Sequence, residues 1–142
     1  MHLEIHTISN SHLAVPLAEG GVRAGFPSPA QDYIEQSIDI NHMVVSHPAT
    51  TFCALVKGDS MIDADVHEGD ILVIDRSLEP RDGSMAVCAI DGDFTLKYIE
   101  TDPTNECIWL RPANPDYPKI KVTADQSFLI WGIVTYIIHK AR

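Results

Sequence analysis

The feature that most constrains this chain is the alternation, from Thr50 onward, of short β-prone runs with tight polar turns. Thr51–Lys57, Ile71–Asp75, Met85–Ile90, Phe94–Glu100, Cys107–Arg111, Ile120–Thr123 and Phe128–Ile138 are each rich in Val, Ile, Phe and Thr. β-Branched and aromatic side chains suit a pleated, half-buried surface better than a helix wall. Between the runs lie Glu68-Gly69-Asp70, Arg81-Asp82-Gly83 and Asp91-Gly92-Asp93, whose residues favour the turns that join antiparallel neighbours. The pattern predicts a mainly β, rolled or barrel-like domain. No internal repeat, low-complexity tract or heptad competes with it.

The chain ahead of these runs reads differently. Residues 1–29 have sparse, unperiodic apolar residues, with Gly20-Gly21 and Pro27-Ser28-Pro29 as punctuation, and are expected to form a flexible arm. The β-rich domain is then residues 30–142. One or two short helices are expected near the junction. Ser28 as cap, Pro29 at the first helical position and Gln31 completing a capping box start one of them. Tyr33, Ile34 and Ile38 would form its buried stripe, and a second short turn falls around Asn41 to Val45.

Composition excludes several classes. The formal net charge is -10 and the pI about 4.9. A protein that grips phosphates needs a basic face, yet Lys57, Arg76, Arg81, Lys119 and Lys121 are scattered among carboxylates. No direct DNA binding is expected; the acidic surface suits solubility and a selective protein partner. Cys53, Cys88 and Cys107 are odd in number and show no CxxC spacing, which reads as reduced thiols in a reducing compartment. The longest apolar run, Phe128 to Ile138, falls short of the ~20 residues needed to span a bilayer. The N-terminus lacks a basic segment followed by an apolar one. A cytoplasmic location away from the membrane is the expectation.

Three short segments carry candidate chemistry. Gly58-Asp59-Ser60-Met61 follows the apolar run Phe52–Val56. Glycine at a strand end permits a sharp turn that lifts the serine to the lip of a sheet, where backbone N–H groups can face a developing oxyanion. Alone, Gly58-Asp59-Ser60 is a common polar turn. Lys97 lies in the run after Asp91-Gly92-Asp93; period two puts it on one face with Thr95 and Ile99, and Phe94, Leu96 and Tyr98 on the other. Burial disfavours an ammonium, and a neutral amine beside a serine hydroxyl can act as general base without histidine. Most strand lysines are simply exposed edge residues. The third segment is Ala24-Gly25, which by composition alone is a flexible joint.

Together, the Gly58–Met61 motif, the EGDILVID run, Phe94-Thr95-Leu96-Lys97 closing a later hairpin, and the C-terminal FLIWGIVTYII run resemble the protease domain of the LexA and UmuD family. The resemblance runs from about Val22 to the end of that last strand, and it implies a serine–lysine self-cleaving protein of the UmuD type. In that family the motif serine is the nucleophile and the hairpin lysine its general base, roles that fall on Ser60 and Lys97. The amides of Asp59 and Ser60 would form the oxyanion hole. Ala24–Gly25, followed by Phe26-Pro27-Ser28-Pro29, matches the family's scissile junction. The 35 residue steps from Gly25 to Ser60, at roughly 3.3 Å each, permit attack within one chain or across a dimer. Only 24 residues precede Gly25, too few for the helix-turn-helix domain of LexA-type repressors, so the UmuD-like branch is expected. The resemblance further implies a bacterial cytoplasmic homodimer. Its activator is the RecA filament on single-stranded DNA, and its trimmed form serves a UmuC-type error-prone polymerase. No cofactor is called for.

Other patterns carry less. Asp63 to Gly69 faintly suggests a calcium loop, but Glu68 stands where glycine is required. His2 and His6 are four apart without a further ligand in register, so no metal is expected. His42, His47, His67 and His139 follow no nucleophile–base pattern with a nearby acid, against a Ser-His-Asp enzyme. Trp109 and Trp131 read as core or interface residues. Two rivals remain: a trans-acting serine–lysine peptidase of the signal-peptidase kind, which should carry a membrane segment, and a catalytically silent accessory subunit.

Overall fold

A computed structural model describes residues 2–9, 14–18, 34–57 and 65–142. The chain divides into two compact units, Ser9–Ser46 and a larger one formed by Met1–Ile8 with His47–Arg142. The larger unit is one antiparallel sheet of eight strands. These are β1 (His2–Thr7), β4 (Thr51–Lys57), β5 (Ile71–Asp75), β6 (Met85–Ile90), β7 (Asp93–Asp102), β8 (Cys107–Arg111), β9 (Ile120–Val122) and β10 (Ile130–Ile138). Their order across the sheet is β1-β4-β5-β10-β6-β7-β8-β9. The smaller unit pairs β2 (Ala14–Ala18) with β3 (Ile34–Asp39) and adds the one-turn helix α1 (Ile40–Val44), whose first turn is capped by the Asp39 side chain accepting from the His42 amide. The mainly β, rolled architecture expected from the sequence is the observed one.

Alternation explains how the sheet buries both faces. Leu3, Ala54, Val56, Leu72, Ile74, Val87 and Leu96 project to one side and form a fully buried cluster with Val66. Ala86, Cys88, Ile99, Leu110, Val122 and Ile133 form a second on the opposite side. The edge strand β1 comes back into contact with β7, so the sheet curls around the first cluster. Trp131 closes that cluster, packing against Phe52 and Phe94 with ring centroids 5.3 Å away in each case, a tilted arrangement that aromatic quadrupoles favour.

Two departures from the sequence expectation concern the first forty residues. The expected arm holds two strands: Ala14–Ala18, paired with β3, and His2–Thr7 in the main sheet, with Leu3 opposite Val56 and Ile5 opposite Ala54. Ile34–Asp39 is a strand and not a helix. A spacing of four, as between Ile34 and Ile38, suits an ideal helix or an ideal strand alike, and pairing with β2 decides the outcome. The second short helical turn is present as α1. Residues 28–33 lie outside the described residues. At the other end, β10 begins at Ile130, because Ala124–Leu129 forms a 3-10 helix that leaves Phe128 exposed.

β10 lies between β5 and β6 and is irregular on both sides, with register shifts at Trp131 and at Thr135. Each bulge adds local twist. Gly132 sits at the tightest point: a Cβ there would come 2.5 Å from the Ile74 Cγ2 methyl. Gly132→Ala is expected to cost about 1–3 kcal/mol through overpacking, read as a lower urea midpoint with an unchanged slope. An unchanged midpoint would show that Ile74 can turn aside freely.

Candidate active site

Of the residues singled out by sequence, Lys97 is the one the described structure places. It lies in the middle of β7, paired with Ala86 of β6. The β6–β7 hairpin turns through Asp91 and Gly92, both with positive φ (52° and 81°), the backbone a two-residue type I′ turn requires. This closure fixes the register, and with it the alternation. Phe94, Leu96 and Tyr98 pack on the first cluster, while Ile99 belongs to the second. Lys97 shares the Ile99 side and is half-buried. No carboxylate among the described residues forms an ion pair with it.

Cys88 sits on the same face, opposite Thr95. Burial pushes its thiol up to about 12, while the Lys97 charge pulls weakly the other way. Cys88 is therefore a buried, inert thiol on the face of the sheet that carries Lys97. Ser60, Asp59, Ala24 and Gly25 lie outside the described residues. The sequence Gly58-Asp59-Ser60 begins where β4 ends.

Two buried carboxylates flank β5, one at each end, and neither was assigned a role by the sequence reading. Asp70 is 1% exposed. Its Oδ2 accepts from the His67 amide at 2.9 Å and its Oδ1 from His139 Nδ1 at 2.6 Å. Backbone bonds from Val56 N to Asp70 O and from Gly69 N to Val56 O, at 2.9 and 2.8 Å, tie the two ends of the segment between β4 and β5. Asp75 accepts from His47 Nδ1 at 2.5 Å, Thr50 Oγ1 at 2.9 Å, the Ser77 amide at 2.9 Å and Ser77 Oγ at 2.7 Å. The signal was present in EGDILVID: an acid at each end of a run too apolar to be exposed.

Ser77, His47 and Asp75 do not make a catalytic triad. The Ser77 hydroxyl donates to the carboxylate, and its nearest imidazole atom is the same Nδ1 that Asp75 already holds, at 3.4 Å. A nucleophile would need the opposite ring nitrogen. Among the described residues no group of three or more His, Cys, Asp or Glu side chains could hold a metal ion, and no helix is long and apolar enough to cross a membrane. A cleft of about 520 Å³ opens beside Thr101, lined among others by Arg76, Cys107, Ile108, Ile130 and Trp131. Lys97 is not part of it.

Comparison with known proteins shows the family. The family model described as peptidase S24-like matches residues 16–135, and the chain belongs to that family. It is 40% identical to Protein ImpA of Salmonella typhimurium over 127 residues, which are 89% of this chain and 85% of that one. It is also 40% identical to Protein MucA of Escherichia coli, over 87% of this chain and 83% of that one. The LexA repressor of Shewanella oneidensis is 34% identical over 99% of this chain, which spans 66% of the repressor's length. The UmuD-like and LexA-like resemblance drawn from the motifs is thereby established.

The buried aspartates set an acid limit. Burial alone would raise Asp75, but its hydrogen bonds from His47, Ser77 and Thr50 outweigh it and bring the carboxyl from 3.8 to about 2. Asp70 is lowered in the same way: burial raises it, and the His67 amide and His139 prevail. A folded-state pKa below the unfolded one stabilises the fold above the unfolded value and is lost as pH falls through the folded one. Urea stability should therefore decline from about pH 4 toward about 2, and Asp75→Asn should flatten that decline. An unaltered acid limb in the variant would rule Asp75 out as its cause.

Proposed function

We propose that this chain cleaves its own Ala24–Gly25 bond with a Ser60–Lys97 dyad, and that the trimmed product is the working form. Lys97 carries the reading: a half-buried lysine with no ion pair to any described carboxylate, on the apolar Cys88–Ile99 face, in a chain of the peptidase S24-like family. The neutral amine accepts the Ser60 hydroxyl proton as Oγ attacks the Ala24 carbonyl carbon. The oxyanion rests on the amides of Asp59 and Ser60. The carbon–nitrogen bond then breaks, Lys97 returns its proton to the Gly25 amine, and water hydrolyses the Ala24 ester to a free carboxylate.

The curl of the sheet and the chain length support the reach this needs. Strand β1, which is paired along β4, comes back into contact with β7, and three residue steps beyond Lys57 can cover up to roughly 10 Å. Family likeness supports the setting: a bacterial cytoplasmic homodimer in the SOS response to DNA damage, activated by RecA filaments on single-stranded DNA and acting with a UmuC-type translesion polymerase. An activator that favours the docked scissile segment raises the rate in proportion to the competent fraction.

Intact masses of the parent, Ser60→Ala and Lys97→Ala, followed over a day at pH 10, test this. Loss of Met1–Ala24 in the parent alone is expected, faster than at neutral pH because the base must be unprotonated. Should the parent stay whole there and also with RecA filaments, the silent accessory subunit takes its place.

A further inference from the structure

The bond proposed for cleavage lies between strands that are paired across it. Both described strands on its N-terminal side bond to strands on its C-terminal side. β1 pairs with β4 from His2 opposite Lys57 to Thr7 opposite Phe52. β2 pairs with β3 from Ala14 opposite Asp39 to Ala18 opposite Ile34. Breaking a covalent bond in the connection between β2 and β3 removes neither ladder.

β1 is also more than an edge ribbon. Leu3 is 4% exposed within the core cluster that contains Ala54, Val56 and Leu96, and Ile5 packs against the same cluster. Glu4 Oε2 meets Lys57 Nζ at 2.7 Å on the opposite, solvent side. The edge of β4 therefore offers the three parts of a strand-binding groove. It has unpaired main-chain groups for a ladder, an apolar floor for alternate side chains, and a basic residue for an acidic one.

We propose that the β4 edge is such a groove and that residues His2–Thr7 are its ligand, so that cleavage leaves the Met1–Ala24 peptide bound to the rest of the chain. This rests on cleavage at Ala24–Gly25. Hydrolysis and opening of the edge are then separate events: the first is chemical, the second is the dissociation of a strand. Until the peptide leaves, Val56 and Ala54 stay covered and the edge cannot accept another strand.

The test uses the full chain, allowed to cleave itself and then passed over a sizing column in native buffer. If the chain does not cleave itself, a specific protease site inserted between Ala24 and Gly25 supplies the nick, so failure of the dyad is read separately from failure of the groove. Co-elution of the peptide with residues 25–142 is expected, with the β4 amides still protected from hydrogen exchange. Leu3→Ala should weaken retention about thirtyfold, the lower end for truncating a buried leucine. Glu4→Lys, which leaves the apolar contacts alone, should weaken it about threefold. Elution of free peptide from the parent would overturn the proposal. So would retention with the β4 amides exchanging freely, because β2 on β3 would then be holding the peptide alone.

Discussion

Register in the β6–β7 hairpin is the constraint from which the rest of the molecule follows. With Asp91-Gly92 as a two-residue turn, Ala86 must face Lys97 and Val87 must face Leu96. A slip by one residue would send every side chain of β7 to the other face. Leu96, fully buried in the first cluster, would exchange places with Lys97, and an ammonium would enter a core that has no described partner for it. The cost of burying an unpaired charge makes that slip prohibitive. The same pairing that builds the core therefore holds the lysine on its apolar ledge beside Cys88.

The part of the fold from Thr51 onward was legible because its runs are rich in β-branched residues and its turns carry residues that tolerate positive φ. Thr51–Lys57, Ile71–Asp75, Met85–Ile90 and Cys107–Arg111 coincide with β4, β5, β6 and β8. The first forty residues were not legible for a different reason. In His2–Thr7 only Leu3 and Ile5 alternate, a period-two signal two residues long, and its meaning depends on β4, some fifty positions away. Ile34 and Ile38 fit a helix and a strand equally. Where local pattern is ambiguous, a distant partner decides.

The site divides along the same line. Lys97 could be placed on its face by counting in twos from the turn. The aspartates at the ends of β5 could not be interpreted that way, because most of their partners lie in segments that strand pairing brings alongside: His47 and Thr50 ahead of β4, and His139 after β10, with His67 in the turn before β5. Asp75 gathers four donors and Asp70 two. These buried acids are anchors for backbone turns at both ends of a strand that lines the core, one of them at the foot of the segment that contains Gly58-Asp59-Ser60-Met61.

The position of β10 has a consequence for how the protein comes into being. It follows every other strand in chain order, yet it sits between β5 and β6 and is what joins β1-β4-β5 to β6-β7-β8-β9. During vectorial synthesis the hairpins β4-β5, β6-β7 and β7-β8 can form early, whereas β1 must wait for β4, and the two half-sheets cannot join until β10 emerges. Over that interval the inner edges of β5 and β6 present unpaired main-chain groups beside Leu72, Ile74 and Val87. Such edges invite pairing with the wrong chain. Until β10 is inserted, those two edges are the places most open to misassembly.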